Sequence, residues 1–120
     1  MAKRGPKGLG RGGQALWRRI TSVYELRPDE LETLEDVCRF TDMIDALDAD
    51  WAKNDRPMTA KGSMGQLVIH PVIGELRAQR LARNVLWRQL RLPDLYGGAE
   101  PNQHRAAAQS RWGSARAKDG

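Results

Sequence analysis

The stretch from Glu25 to Trp51 constrains this chain more than any other. Leu31, Leu34, Val37, Cys38, Thr41, Ile44, Leu47 and Trp51 recur at steps of three and four, the spacing of a helix with one apolar stripe. Pro28 suits the first helical position, where its missing N–H costs nothing. Asp29, Glu30 and Glu32 put negative charge in the first turn, where the helix dipole favours it. A helix over about 28–53 is a rod of roughly 37 Å. Its stripe drifts slowly around the helix, as expected for a coiled-coil-like crossing with a partner. The rod cannot bury that stripe on itself.

The partner is a second periodic stretch over about 71–92. It opens at Pro71, and His70 before it is kept out of the helical region. Val72, Ile73, Leu76, Leu86, Trp87 and Leu90 form one apolar face; Ala78, Leu81, Val85 and Leu92 form a weaker second one. A helix apolar on two sides is usually sandwiched. One face is expected on the rod and the other against a neighbouring subunit, with Arg77, Arg80, Arg83, Arg88 and Arg91 pairing with the rod's carboxylates. The predicted fold is therefore all-α: a long antiparallel helical hairpin, about 28–53 and 71–92, in an oligomer. Its core and oligomer contacts are assigned to Leu31, Leu34, Cys38, Ile44, Leu47, Trp51, Ile73, Leu76, Leu81, Val85, Trp87 and Leu90.

The remaining segments follow from their breakers. Lys53 to Pro57 is turn chemistry, and residues 58–69 connect the two helices. Within them Leu67–Ile69 reads as a brief extended segment packing back on the hairpin. A short helix is expected from Gln14 to about Tyr24, with Leu16, Trp17, Ile20 and Tyr24 near one face, either capping the hairpin or carrying Arg18 and Arg19 as a rigid extension of the basic start. Residues 1–13 hold five glycines and a proline among four basic residues, too little apolar surface to offset chain entropy. They read as a flexible basic arm. The expected division is arm 1–13, helical oligomerisation core 14–93, and a basic, flexible tail 94–120.

Charge is segregated along the chain. The net +5 divides into +6 over residues 1–19, −8 over 20–55, +6 over 56–93 and +1 over 94–120. Basic arms beside an acidic rod suggest a polyanion partner for the arms. The phosphate-contacting candidates are Lys3, Arg4, Lys7, Arg11, Arg18 and Arg19, with help from Lys61, Arg111 and Arg116. Trp112, isolated in the polar tail, is either a residue docking on a nearby helix or an anchor for a partner protein.

Catalytic and metal chemistry find no foothold. His70 and His104 lack partners at ligand spacing, and Ser63 and Cys38 lack a base and its orienter. The glycines near the start are followed by no Gly-Lys-Ser/Thr. The single Cys38, on the apolar stripe, reads as a buried reduced thiol. No apolar run approaches the ~18 residues of a membrane span, so a soluble intracellular protein without cofactor or metal is expected, not an enzyme.

Two stretches, GLGRGGQALWRRITSVYELRPDELETLEDVCRFTDMIDAL and KGSMGQLVIHPVIGELRAQRLARNVLWRQLRLPD, together span about Gly8 to Asp94. In that order they resemble the small subunits of tailed-bacteriophage terminases, the short helical family of long-tailed phages. The resemblance implies a ring-shaped helical homo-oligomer in the cytoplasm of an infected bacterial host. It implies a non-catalytic role in viral genome packaging: binding double-stranded phage DNA at the packaging start, and delivering it to the large ATPase/nuclease subunit and regulating that subunit. Many relatives in the broader class use an N-terminal helix-turn-helix. Here the second helix of such a pair is the acidic rod, which does not suit DNA. The alternatives are a helical scaffold or adaptor without specific DNA recognition, and a small DNA-binding repressor.

Overall fold

A computed structural model describes residues 4–94. In chain order it has α1 (Arg11–Val23), α2 (Pro28–Ala52), β1 (Thr59–Lys61), β2 (Leu67–Ile69) and α3 (Pro71–Leu90). Helices dominate, and a small two-stranded antiparallel sheet joins β1 to β2 in the register Thr59 to Ile69, Ala60 to Val68 and Lys61 to Leu67.

Helix α2 is the centre of the packing, contacting both α1 and α3. Its start is fixed by Glu30, a buried carboxylate that accepts a hydrogen bond from the Arg27 backbone N–H at 3.0 Å. Leu34, Val37 and Cys38 are fully buried and gather Leu9, Trp17, Leu26 and Leu90 into one core. Leu31, Leu86, Trp87 and Leu92 pack around it. Ile44 and Leu76 are buried farther along, while Leu47, Trp51 and Ile73 are half-buried. Leu81 and Val85 remain 60% and 43% exposed, because they lie on the face of α3 turned away from Leu76 and Leu90.

Four details differ from the sequence reading. First, α1 begins at Arg11, three residues early, and Leu9 of the expected arm is buried. Second, α3 stops at Leu90, because Arg91 takes a left-handed conformation (φ 50°, ψ 48°) and Leu92 precedes Pro93, which disfavours helix. Third, no ion pair joins α3 to α2 among the described residues. The pairs there are Arg27 with Asp29 and Glu30, Arg39 with Glu35, and Arg56 with Asp48. Arg83 instead donates from Nη1 to the Thr41 hydroxyl at 3.1 Å. Thr41, not a carboxylate, is the α2 side chain within hydrogen-bond reach of that guanidinium. Fourth, β2 is extended as expected but does not pack back: Leu67 and Ile69 are 74% and 71% exposed. Strand alternation turns only one face inward, and that face carries Val68.

The connection is held by local bonds. The Trp51 indole donates to the Pro57 carbonyl at 2.9 Å, and the His70 N–H donates to the Met58 carbonyl at 2.9 Å, extending the strand pairing. Gly65 takes φ +81° in the turn, a region where glycine carries no steric penalty. His70 also caps α3, its Nδ1 accepting from the Val72 N–H at 3.1 Å.

Burial pushes the Cys38 thiol up to about 12, with help from the nearby Asp42 and Glu35 carboxylates. The folded thiol keeps its proton at pH 8 and is expected to resist thiol reagents until the chain unfolds. The unfolded thiol loses its proton above its ordinary value near 9. The unfolded state then binds fewer protons, so stability falls as pH rises from 9 toward 12, by up to ~1.4 kcal/mol per pH unit. Urea midpoints across that range are expected to fall more steeply for the native chain than for Cys38→Ala; parallel slopes contradict this.

Candidate nucleic-acid interface

Helix α1 divides cleanly into two faces. Gly13, Trp17 and Thr21, at steps of four, are buried, with Leu16 and Ile20 half-buried beside them. Arg11, Ala15, Arg18 and Ser22 recur at steps of four and three on the opposite side, flanked by Arg19, and all five are exposed. Arg4 and Lys7 are exposed just before the helix. None of Arg4, Lys7, Arg11, Arg18 and Arg19 makes an ion pair with a described residue.

The backbone under these cations is held from α2. The Asp42 carboxylate accepts from the Gly10 N–H at 2.6 Å through Oδ2 and from the Gly13 N–H at 2.7 Å through Oδ1. It acts as an N-cap supplied by another helix, satisfying donors that α1 cannot satisfy itself. The clamp requires close approach: a Cβ on Gly13 would lie 2.5 Å from Asp42 Oδ2 and 2.9 Å from the Cys38 carbonyl oxygen. The Arg39 guanidinium holds the preceding turn, donating from Nη2 to the Lys7 carbonyl at 3.2 Å and pairing with Glu35 at 2.6 Å. At the far end of α1 the Tyr24 hydroxyl donates to the Pro93 carbonyl at 2.7 Å.

Five of the nine predicted phosphate contacts, Arg4, Lys7, Arg11, Arg18 and Arg19, are exposed on α1 or on the segment just before it. Lys61 is exposed on β1, which follows α2 in the chain. Lys3, Arg111 and Arg116 lie outside the described residues, as does Trp112. Sequence reasoning missed Asp42 and Gly13 as the pieces that position the basic helix. Nothing local marks Asp42 as a cap, since its partners lie 29 and 32 positions away.

Among the described residues no group of three His, Cys, Asp or Glu side chains is placed to hold a metal ion, and no helix is long and apolar enough to cross a membrane. No family model, no curated protein and no solved structure matches the chain.

Proposed function

We propose that this protein is a non-catalytic, DNA-binding packaging subunit of the kind it resembles, the terminase small subunit of a tailed bacteriophage. One observation carries the reading: the exposed cationic face of α1, with Arg4 and Lys7 exposed just before the helix, none of them in an ion pair with a described carboxylate. Acidic side chains are plentiful nearby on α2; Asp42 is spent on backbone N–H groups, and none of the others forms an ion pair with these cations. The guanidiniums are left for an outside partner, and double-stranded DNA offers phosphates along its whole length. These contacts give affinity and carry little sequence information; selectivity then comes from multivalency and DNA shape.

In this reading α2 and α3 form the antiparallel hairpin of a homo-oligomer, ring-shaped as in the resembled family. Two exposed apolar surfaces support it: the Ala78, Leu81 and Val85 face of α3, and the Leu67 and Ile69 face of β2. A ring needs two different surfaces on each copy, one for each neighbour. The assembled ring presents DNA to the large ATPase/nuclease subunit in the cytoplasm of the infected host.

The test is binding to duplex DNA across a salt series. Five cations engaging phosphates predict a slope of log K against log salt of roughly −4 to −5 per bound chain. A slope near zero overturns the reading and favours a scaffold or adaptor, whose basic start only aids solubility.

A further inference from the structure

Building on the DNA reading, we infer that Arg39 of α2 is a positioning residue for DNA binding. It holds the segment before α1 folded back along that helix, so that Arg4 and Lys7 stand beside Arg11 and Arg18 before any phosphate arrives.

The path of that segment is set by its contacts. Leu9 is buried, and its carbonyl accepts from Gln14 Nε2 at 2.8 Å. Nearer the start, a Cβ on Gly5 would lie 3.2 Å from Trp17 Cδ1. Going backward from Leu9 to Gly5, the segment thus meets α1 first at Gln14 and then at Trp17. It runs antiparallel to the helix it precedes. Gly8, at φ +90°, takes part in the reversal in a region open to glycine. Gln14 shares a face with Arg11 and Arg18, at steps of three and four. The segment therefore lies along a row of α1 cations, and Arg4 enters it beside Gly5 at the level of Trp17.

Leu9 is anchored by its own burial, but between Arg4 and Gly8 no side chain is buried and Pro6 is half-buried. The hydrogen bond that reaches these residues from another element comes from Arg39, whose Nη2 donates to the Lys7 carbonyl at 3.2 Å. The same guanidinium is aimed by Glu35, whose Oε2 accepts from Nη2 at 2.6 Å and from Nε at 3.0 Å. As a surface pair one turn apart, Arg39 and Glu35 are worth little for stability. Their planar fork, though, fixes a direction that a lysine ammonium does not. Cations already in place lose less freedom on binding, so affinity rises without a new contact.

A double-mutant cycle in the full-length chain tests this, by anisotropy on labelled duplex DNA at about 0.1 M salt. Arg39→Gln is expected to weaken binding roughly tenfold, as two long side chains must then be ordered at the moment of binding. Arg4→Gln with Lys7→Gln removes the cations being positioned; adding Arg39→Gln to that pair is expected to change affinity by less than about twofold. Arg39→Lys keeps the charge and is expected to lose most of the same affinity. Melting temperatures of both Arg39 variants should stay near the parent's, because the side chain is exposed. Losses that multiply in the cycle would mean that Arg39 touches phosphate itself. Full recovery in Arg39→Lys would mean that its charge alone counts, and parent-like binding by Arg39→Gln that the segment needs no holding. Each of these overturns the inference and leaves the DNA reading standing; a parent whose affinity ignores salt overturns both.

Discussion

Replacing Arg11, Arg18 and Arg19 together by glutamine is expected to weaken duplex DNA binding at least about 100-fold near 0.1 M salt. It should also flatten the slope of log K against log salt by roughly 2.7, which is three phosphate contacts at ~0.9 each. The fold should survive, because all three side chains are exposed and none is in an ion pair with a described residue; such surface changes usually stay within about ±0.5 kcal/mol. A charge-matched comparison separates place from total charge. Arg77, Arg80 and Arg88 changed to glutamine remove the same three positive charges from α3, and should cost far less affinity. Filter binding or anisotropy across a salt series reads both variants. Equal losses would mean that net charge, not the α1 face, draws in the DNA.

The largest stability effect is expected at Gly13. Glycine in a helix is normally about 1 kcal/mol worse than alanine, so the local rule says a side chain here should help. The contact says otherwise: an added Cβ meets the Cys38 carbonyl oxygen at 2.9 Å, and that oxygen belongs to the backbone of α2. Relief requires α1 to lift away, which breaks the Asp42 clamp on Gly10 and Gly13. Gly13→Val then combines overpacking of about 1–3 kcal/mol with loss of a cap of about 1–2 kcal/mol. A total near 3 kcal/mol or more lowers the melting temperature by about 12–24 °C in a domain of this size. Asp42→Ala, which removes only the cap, should cost about 1–2 kcal/mol. A Gly13→Val melt within about 2 °C of the parent would contradict the described contact.

These two predictions sit on opposite sides of what the sequence makes legible. The α2 rod was readable because its apolar residues repeat over many turns and Pro28 marks its start; the helix runs Pro28–Ala52. Arg18 and Arg19 were readable as a rigid basic patch once Leu16, Trp17 and Ile20 marked the buried side. The start of α1 was not. Gly10, Gly12 and Gly13 argue locally against helix and for a loose arm, and what overrides them is a carboxylate from mid-α2. A tertiary cap leaves no local trace. The connection was half-readable in the same way. Three consecutive apolar residues, Leu67–Ile69, announce an extended segment but carry no alternation to say which face turns inward. Similarly, Arg83 looked like a partner for carboxylates, and the choice of Thr41 instead depends on which α2 residue faces it.

Five cations on one chain make a modest site, and tight DNA binding through non-specific phosphate contacts needs several such faces acting together. That collective action is the centre of the account, and native mass in solution, by light scattering or native mass spectrometry, tests it most directly. The account predicts one discrete species of roughly eight or more subunits, held through the exposed faces of α3 and β2. A monomer or dimer persisting across concentration and salt would contradict it.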